Sequence, residues 1–552
     1  MTEYSAVEQL TAKQLHEQLL STEELALIDV REIAPYSHGH ILYAAALPLP
    51  RIEQMVADLI PRRSTPIVVC DGGADDKENP DLGVRAAQRL KQLGYTNVVV
   101  LAGGTTQWQA QGYELFAGMN VPSKAFGEFV EEHEDTPAIG ADELKRMQDA
   151  KDDFVLLDSR PEEEFKALAL PGSICCPGGE LAYRVHDMVP SPDTTIVVNC
   201  AGRTRSIVGC QSLINAAIPN KVVALRNGVM GWHLAGHEIA FGRTDTAPLP
   251  SPEGLAKAQQ SALDVAKRFD IKTVDTAMLA WWREQRETHS LYILDVRTAE
   301  EFEQRRLIDA THAPGGQLVQ NTDFYVATRN ARLVLVDTDQ VRAVFAASWL
   351  LQMGHQHVYV FDGDWEQQAT TSGVREKPIL GLDEINPDTV SPATLKQMVA
   401  EEDVQICDVS LSNEYQAKHI ADAWFVPRAR LLAALKEIPR RKTLVLTSSD
   451  GVTAQLTAPE LSAISTAEIK VLAGGNEAWA KAGYELQSGA GHVSLAADDQ
   501  WQIPFLPNPV TGKTAEDNMR EYLSWEVELI NQIERDGTTD FCYFPRSKDG
   551  EV

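Results

Sequence analysis

The chain has 552 residues, a formal net charge of −29 and seven cysteines. This length exceeds a single hydrophobic core and predicts about three to five domains, while the negative charge argues against nucleic acid or an anionic membrane surface as a partner. No apolar run is long enough to cross a bilayer, and the first ten residues lack signal-peptide features. The cysteines form neither a zinc pattern nor a disulfide framework. We therefore expect a cytoplasmic protein.

One series of elements occurs four times along the chain. Each copy starts with an apolar strand that ends at an acidic residue: LALIDVRE, FVLLDSRPEEEF, LYILDVRTAEEF and VQICDVSLSNEY. A second apolar strand follows and leads to Cys70, Cys200, Asp337 or Ser448. A predicted helix and a third strand then lead to a turn and a tryptophan, at Trp108, Trp232, Trp365 or Trp479. A repeat of this length is typical of tandem globular domains.

Strands that alternate with helices predict an α/β fold, in which each domain has a mainly parallel sheet with helices on both faces. We expect domains at residues 1–120, 134–245, 272–372 and 386–488, followed by a C-terminal arm and an amphipathic helix at 489–552. FGEFVEEHEDTP, TDTAPLPSPEG and EKPILGLDEINPD are predicted linkers. The apolar face of the last helix packs either on its own chain or in a homodimer contact.

The loop after the second strand of unit two contains the strongest candidate for chemistry. In IVVNCAGRTRS, Cys200 lies where a predicted strand passes into a predicted helix. Unpaired N–H groups at the start of that helix, its dipole, and the cations of Arg203 and Arg205 all favour a thiolate. We therefore expect the pKa of Cys200 to lie below its ordinary value and the residue to be a nucleophile. The alternative is a buried structural cysteine.

The order strand–D-x-R, strand–cysteine–loop–helix, and L-x-G-G-x-x-x-W resembles the rhodanese family of sulfurtransferases. The resemblance covers nearly all of the chain except the tail, and unit two matches best, with GSICCPGGEL, CAGRTRS and GVMGW in family order. It implies four tandem rhodanese-like domains and a six-residue loop that cradles a persulfide on Cys200. It also implies that no metal or organic cofactor is needed.

The resemblance assigns roles to residues around Cys200. Backbone N–H groups of the loop surround the sulfur, and the two arginines of the loop orient an anionic donor. The loop consists of Ala201, Gly202, Arg203, Thr204, Arg205 and Ser206. Asp158 and Arg160 match the D-x-R position that braces the loop, with Arg160 also a candidate substrate contact; the alternative is a surface salt bridge. Arg184 and Trp232 are candidates for the pocket wall, and the alternatives are a solvated arginine and a core aromatic.

The other three units depart from the pattern, and we expect them to be inactive. Asp337 and Ser448 replace the cysteine in units three and four, and neither side chain carries a sulfane sulfur. Unit one keeps Cys70, but its loop is longer and contains the acidic residues Asp71, Asp75, Asp76, Glu78 and Asp81. Their charge repels an anionic donor and raises the pKa of the thiol, which favours a structural or redox-bystander role for Cys70.

The implied reaction is sulfur transfer in two steps. The Cys200 thiolate takes the outer sulfur of a small anionic donor such as thiosulfate, and cyanide, a thiol or a protein sulfur acceptor then removes it. A phosphatase or arsenate reductase is a second possibility, although the related phosphatases have a loop one residue longer. A third is a scaffold, in which the degenerate units bind a sulfur acceptor protein.

Overall fold

The computed structural model of the chain describes residues 7–73, 79, 81–401, 403–508 and 511–542. Its first unit has ten elements: β1 (Gln9–Leu10), α1 (Ala12–Leu19), β2 (Leu25–Asp29), α2 (Ile33–His38), β3 (Ala45–Ala46), α3 (Ile52–Leu59), β4 (Ile67–Cys70), α4 (Leu82–Gln92), β5 (Val98–Leu101) and α5 (Gly104–Ala110). Helix α6 (Val121–Glu134) follows.

Unit two repeats this series: β6 (Ala138–Ile139), α7 (Ala141–Ala150), β7 (Phe154–Asp158), α8 (Glu162–Ala167), β8 (Ile174–Cys175), α9 (Leu181–Arg184), β9 (Thr195–Asn199), α10 (Thr204–Asn215), β10 (Val222–Leu225) and α11 (Gly228–Leu234). Helix α12 (Pro252–Arg268) connects it to unit three.

Unit three consists of β11 (Lys272–Val274), α13 (Thr276–Glu284), β12 (Leu291–Asp295), α14 (Ala299–Gln304), β13 (Arg306–Leu307), β14 (Thr311–His312), α15 (Gly315–Gln320), β15 (Thr328–Arg329), β16 (Arg332–Val336), α16 (Val341–Gln352), β17 (Val358–Phe361) and β18 (Thr370–Thr371). Its tryptophan, Trp365, lies in a short 3-10 turn, whereas the other three lie in α-helices.

Unit four consists of β19 (Thr389–Val390), α17 (Pro392–Glu401), β20 (Val404–Asp408), α18 (Ser412–Ala417), β21 (His419–Ile420), β22 (Trp424–Phe425), α19 (Leu431–Glu437), β23 (Thr443–Thr447), α20 (Val452–Ile464), β24 (Glu468–Leu472), α21 (Gly475–Lys481), β25 (Leu486–Gln487) and β26 (His492–Val493). Helix α22 (Ala515–Asp536) follows unit four. No helix within the described ranges is long and apolar enough to cross a membrane.

The predicted α/β fold is confirmed in all four units. The strand orders are β1-β5-β4-β2-β3, β6-β10-β9-β7-β8, β11-β17-β16-β12-β14 and β19-β24-β23-β20-β22-β26, and the neighbours within each order are parallel. The central strands are buried on both faces because helices cover each side. Parallel strands present their carboxyl ends at one edge, so the loops that begin near Cys70, Cys200, Asp337 and Ser448 occupy equivalent positions.

The first predicted linker is wrong, because residues 121–134 form helix α6, which packs against α10 and α22. Phe126 and Val130 of α6 are buried in a hydrophobic core that units two and three share. The acidic residues on this helix looked like a solvated linker, yet Glu128 and Glu131 pair with Arg203 of the Cys200 loop. Residues 376–388 contain no helix or strand, in agreement with the third predicted linker.

The units form two pairs through the same element of each unit. In units two and three, the backbone of Gly179 meets that of Gly316 so closely that a Cβ on Gly179 would lie 2.7 Å from the nitrogen of Gly316. In units one and four, Arg428 occupies the equivalent turn and donates to the carbonyl of Pro50 at 2.7 Å. Strand β15 of unit three also pairs antiparallel with β2 of unit one.

The C-terminal helix packs on its own chain. A capping box between Thr514 and Asp517 starts α22, and Gly537, with φ of 69°, ends it, as the sequence indicates. Its buried face contacts α6 and the loop that contains Cys200. Of the two predicted positions for this helix, the structure therefore shows the intramolecular one.

Candidate active site

Cys200 directly follows β9 and precedes α10, and its side chain is buried. Its Sγ lies 3.6 Å from the hydroxyl of Ser206. The turn after β10 packs tightly against the loop, because a Cβ on Gly228 would lie 2.2 Å from the Cys200 carbonyl oxygen. Val229 and Met230 donate backbone hydrogen bonds to the carbonyls of Cys200 and Ala201 at 2.9 and 3.0 Å.

These contacts occupy the carbonyl side of the loop and leave its amide side available. Within the described residues, the backbone N–H groups of residues 201–205 donate to no other group. By contrast, the Arg203 carbonyl accepts from the N–H groups of Ser206 and Ile207, both at 3.1 Å. Free N–H groups at the start of a helix form a binding site for an anion.

The predicted direction of the Cys200 pKa shift is wrong. Burial raises the pKa of the thiol above its ordinary value. The guanidinium of Arg205 and hydrogen bonds from Ser206 lower the pKa and thus oppose part of this effect, whereas Glu526 adds to it. The loop offers polar groups to a thiolate, as predicted, but burial of the thiol by neighbouring elements has the larger effect on its pKa.

The two arginines of the loop point to different partners. Arg205 forms two hydrogen bonds of 2.8 Å with the carboxylate of Glu164, and its charge lowers the pKa of Cys200. Arg203 instead turns toward α6, where it binds both oxygens of Glu128 at 2.7 Å and also pairs with Glu131. Both arginines therefore bind carboxylates, and of the two only Arg205 has a charge that lowers the pKa of Cys200.

The D-x-R pair is buried and braces the loop from the adjacent strand. Arg160 donates to both oxygens of Asp158 at 2.8 and 2.7 Å and to the Leu168 carbonyl at 2.7 Å. Asp158 also accepts from the side-chain amide of Asn199, which directly precedes Cys200, at 2.8 Å. A surface salt bridge is thus excluded for this pair. The structure does not bring Arg160 to the pocket as a substrate contact.

The other two residues that were predicted to line the pocket are also buried, and hydrogen bonds to protein groups hold both of them. Arg184 is buried and donates to Glu180 at 2.6 Å and to the Ala247 carbonyl at 2.5 Å. Trp232 lies in the core of unit two and donates to the Glu238 carbonyl at 2.8 Å. Trp108 and Trp479 make the same bond in units one and four, so this tryptophan is a repeated core residue and not a pocket wall.

The equivalent loop in unit three holds a carboxylate in place of the thiol. Asp337 accepts hydrogen bonds from the backbone N–H groups of Arg342, Asp339 and Ala343 at 2.8, 3.4 and 3.4 Å. The Arg342 guanidinium adds a bond of 2.9 Å. In unit four, the smaller hydroxyl of Ser448 accepts from Ala454 N–H at 3.2 Å.

Cys70 in unit one is fully buried at the end of β4. Burial raises the pKa of its thiol well above the ordinary value, and the charges of Asp29 and Asp71 raise it further. This is the direction expected from the acidic loop. Three of the acidic residues in that prediction, Asp75, Asp76 and Glu78, lie outside the described residues.

Sequence reasoning missed three residues near the Cys200 loop. Tyr522 and Glu526 of α22 lie against Gly202, and Lys124 of α6 lies near Glu526. The signal was present in α22, where Glu526 lies on the same helix face as the apolar residues Met519, Leu523 and Ile533. Within the described ranges, no group of three or more His, Cys, Asp or Glu side chains is placed to hold a metal ion.

Comparisons with known proteins agree with this geometry. The family model of the rhodanese-like domain matches residues 11–111, 140–235, 278–370 and 391–482. A crystal structure of a thiosulfate sulfurtransferase from Pseudomonas aeruginosa superimposes with a TM-score of 0.93 and 40% identity, covering 98% of this chain and all of that one.

Two curated proteins match shorter parts of the chain. A sulfurtransferase from Allochromatium vinosum is 29% identical over 111 residues, which are 20% of this chain and 96% of that protein. The adenylyltransferase and sulfurtransferase uba4 from Ogataea parapolymorpha is 33% identical over 95 residues, 17% of this chain and 23% of that protein. With four matched domains and similarity over its whole length to one solved structure, the chain belongs to the rhodanese family.

Proposed function

We propose that the protein is a sulfurtransferase in which Cys200 carries a sulfane sulfur as a persulfide. The observation that carries this proposal is the pair of equivalent loops in units two and three. One holds a thiol beside N–H groups that donate to no other described residue, and the other holds an anion on the same kind of N–H groups. Family membership and the names of the matched proteins support the same reaction.

The carboxylate of Asp337 occupies a position similar to that of a persulfide. Each carboxylate oxygen is two bonds from Cβ, as the outer sulfur of a cysteine persulfide is. The N–H groups that bind Asp337 belong to Asp339, Arg342 and Ala343, and their counterparts in unit two belong to Gly202, Arg205 and Ser206. We expect the N–H groups of Gly202 and Arg205, which donate to no other described group, to hold the anionic outer sulfur on Cys200, whereas the N–H of Ser206 already donates to the Arg203 carbonyl.

The reaction has two steps, and its atoms balance without a metal or an organic cofactor. In the first, the Cys200 thiolate attacks the outer sulfur of thiosulfate, the S–S bond of the donor breaks, and sulfite leaves with the electron pair. In the second, cyanide or a thiolate attacks the outer sulfur of the persulfide, and the electron pair returns to Cys200. Loop N–H groups, including those of Ala201, Arg203 and Thr204, stabilise the negative charge in both steps.

Arg205 is the residue that we assign to the anionic donor. Within the described chain, two of its five N–H donors bind Glu164, so three remain for an oxygen of thiosulfate. Asp158 positions the loop through Asn199 and acts as a support. A free thiol or a protein sulfur acceptor then collects the sulfur, and the acceptor approaches through the cavity beside the loop, which is lined by Thr204, Arg205, Gly179, Gly316 and Gln320.

A donor panel tests this proposal. The full chain is incubated with thiosulfate, 3-mercaptopyruvate or glutathione persulfide, and the peptide that contains Cys200 is analysed by mass spectrometry. We expect one added sulfur on that peptide with at least one donor, and its removal by cyanide with release of thiocyanate. Absence of added sulfur with every donor would contradict the proposed function.

A further inference from the structure

The C-terminal helix places an acidic side chain directly against the loop that contains Cys200. A Cβ added to Gly202 would lie 2.9 Å from Oε2 of Glu526 and 3.4 Å from the ring of Tyr522. Glu526 is only 2% exposed. Residue 202 thus has no side chain at the point where α22 covers the loop, and a carboxylate from outside the repeated unit fills that space.

The two oxygens of Glu526 differ in their bonding. Oε1 accepts a hydrogen bond from the Tyr522 hydroxyl at 3.0 Å. Oε2 is buried and has no hydrogen-bond partner among the described residues. A buried oxygen without a partner costs free energy, so such an atom beside a reactive loop calls for a functional explanation.

The charge of Glu526 is offset by a buried cation on α6. The Lys124 ammonium lies 4.8 Å from the ring centres of Tyr522 and Trp525 and 5.3 Å from that of Trp501. Its charge and that of Glu526 interact. The rings hold the ammonium in a fixed place by cation–π attraction.

We propose that Glu526 is the general base that removes the proton from a thiol acceptor before that acceptor takes sulfur from Cys200. This inference rests on the proposed persulfide function. The unpartnered Oε2 faces the loop and is free to accept the proton, while Tyr522 fixes the other oxygen and so orients the carboxylate.

The step balances in atoms and electrons. The acceptor R–SH gives its proton to Oε2, and the resulting thiolate attacks the outer sulfur of the Cys200 persulfide. A new S–S bond forms to the acceptor, the old S–S bond breaks, and its electron pair stays on Sγ of Cys200. The product R–S–S⁻ leaves, and Glu526 releases the proton to solvent.

The electrostatic surroundings suit this role. Burial raises the pKa of Glu526, and the charge of Glu128 acts in the same direction. Lys124, the hydrogen bond from Tyr522 and the cation of Arg203 lower the pKa. Other charged or titratable groups nearby are Arg205, which faces Tyr522 and Lys124, Asp323, which faces Lys124, and the Cys200 thiol, whose pKa Glu526 raises. A carboxylate with a raised pKa is a stronger base near neutral pH.

An experiment that follows the loss of sulfur from the Cys200 persulfide, here called discharge, uses the full chain and separates the proposed role of Glu526 from formation of the persulfide. Cys200 is loaded with thiosulfate, excess donor is removed, and persulfide loss is followed with 2-mercaptoethanol or with sulfite dianion, which has no proton to lose. In Glu526→Gln, we expect discharge by the thiol near neutral pH to be about tenfold slower or more, and discharge by sulfite to be unchanged or faster. Glu528→Gln, on the exposed side of the same helix, is the matched control and should behave as the wild type.

The outcomes distinguish the two proposals. If the wild type forms no persulfide with any donor of the panel, the proposed function fails. If Glu526→Gln forms the persulfide but loses it equally slowly, or equally fast, with both acceptors, Glu526 is not the base. If that variant does not fold, Tyr522→Phe replaces it: loss of its hydrogen bond raises the pKa of Glu526, so thiol discharge should shift to higher pH while the sulfite profile stays fixed. An unshifted thiol profile would overturn the inference.

Discussion

Replacement of Arg205 by alanine tests whether this guanidinium binds the anionic sulfur donor. In the structure Arg205 pairs with Glu164 and lowers the pKa of Cys200, whereas Arg203 is bound to Glu128 and Glu131. Arg205→Ala should therefore weaken thiosulfate use in two ways. It removes a cation from the donor site, and it raises the pKa of Cys200 further, so that less thiolate is present at neutral pH.

The size of the effect follows from the bonds that are lost. A hydrogen bond to a charged group contributes about 1.5–3 kcal/mol, which corresponds to a roughly ten- to hundredfold loss in kcat/KM. The variant also leaves the carboxylate of Glu164 without its partner, and that charge repels thiosulfate. The double variant Arg205→Ala, Glu164→Gln removes the repulsion and should recover part of the loss.

The assay measures steady-state sulfur transfer by each variant from thiosulfate and from an uncharged trisulfide, and compares the loss of kcat/KM with the two donors. Arg203→Ala is the comparison variant. That variant leaves the buried Glu128 unpaired, so we expect a loss of about 3–5 kcal/mol in the free energy of unfolding and no preference between donors. Equal losses with both donors in Arg205→Ala, or a thiosulfate-specific loss in Arg203→Ala, would refute this assignment.

Four further outcomes are expected. Cys200→Ser should abolish thiosulfate-dependent transfer while Cys70→Ser keeps most of it, as measured by thiocyanate release; similar losses in the two would argue against a single site. Loading of Cys200 in the wild type should become faster as pH rises and continue to do so beyond the ordinary thiol pKa, because the thiolate reacts and burial raises its pKa; a rate that is flat from neutral pH upward would disagree. Gly202→Ala places a Cβ 2.9 Å from Glu526 Oε2 and should slow thiol discharge at least as much as persulfide formation, measured on the loaded protein; normal discharge would mean that α22 moves freely. Cys200→Ser with Asp337→Cys should transfer little sulfur, because Asp339 stays beside the new thiol and Tyr183 of unit two binds Asp339 at 2.8 Å; recovery of most activity would show that the backbone loop alone suffices.

The fold could be predicted because its signals are local and occur four times. The strands before Asp29, Asp158, Asp295 and Asp408 are apolar runs with a fixed order of turns and helices after them, and each forms a central parallel strand. The start of helix α22 at the N-cap Thr514 and its end at Gly537 could also be predicted, because both depend on short-range backbone chemistry.

The side chains around Cys200 could not be assigned so well, because their partners are distant in sequence. Arg203 finds its carboxylates 75 and 72 residues away on α6, and α22 reaches Gly202 from more than 300 positions downstream. No local pattern tells a free arginine from a paired one. The same long-range packing explains the pKa of Cys200: the loop sequence favours a thiolate, but the elements that bury it lie elsewhere in the chain.

The degenerate loop of unit three contributes to the site in unit two through a continuous chain of contacts. Asp337 neutralises Arg342, which is fully buried and also reaches Glu180 of unit two at 3.3 Å. Glu180 ends the turn in which the N–H of Gly178 donates to the Ser159 carbonyl at 2.9 Å.

Ser159 continues this chain to the catalytic loop, because its N–H and hydroxyl donate to the Asn199 carbonyl at 2.8 and 2.9 Å, directly before Cys200. A carboxylate at position 337 thus does in unit three what a transferred sulfur would do in unit two: it fills the anion site of the loop. The filled site then holds Arg342 at the interface. The carboxylate in the loop of unit three is therefore connected, through Arg342 and Glu180, to the support of the Cys200 loop in unit two.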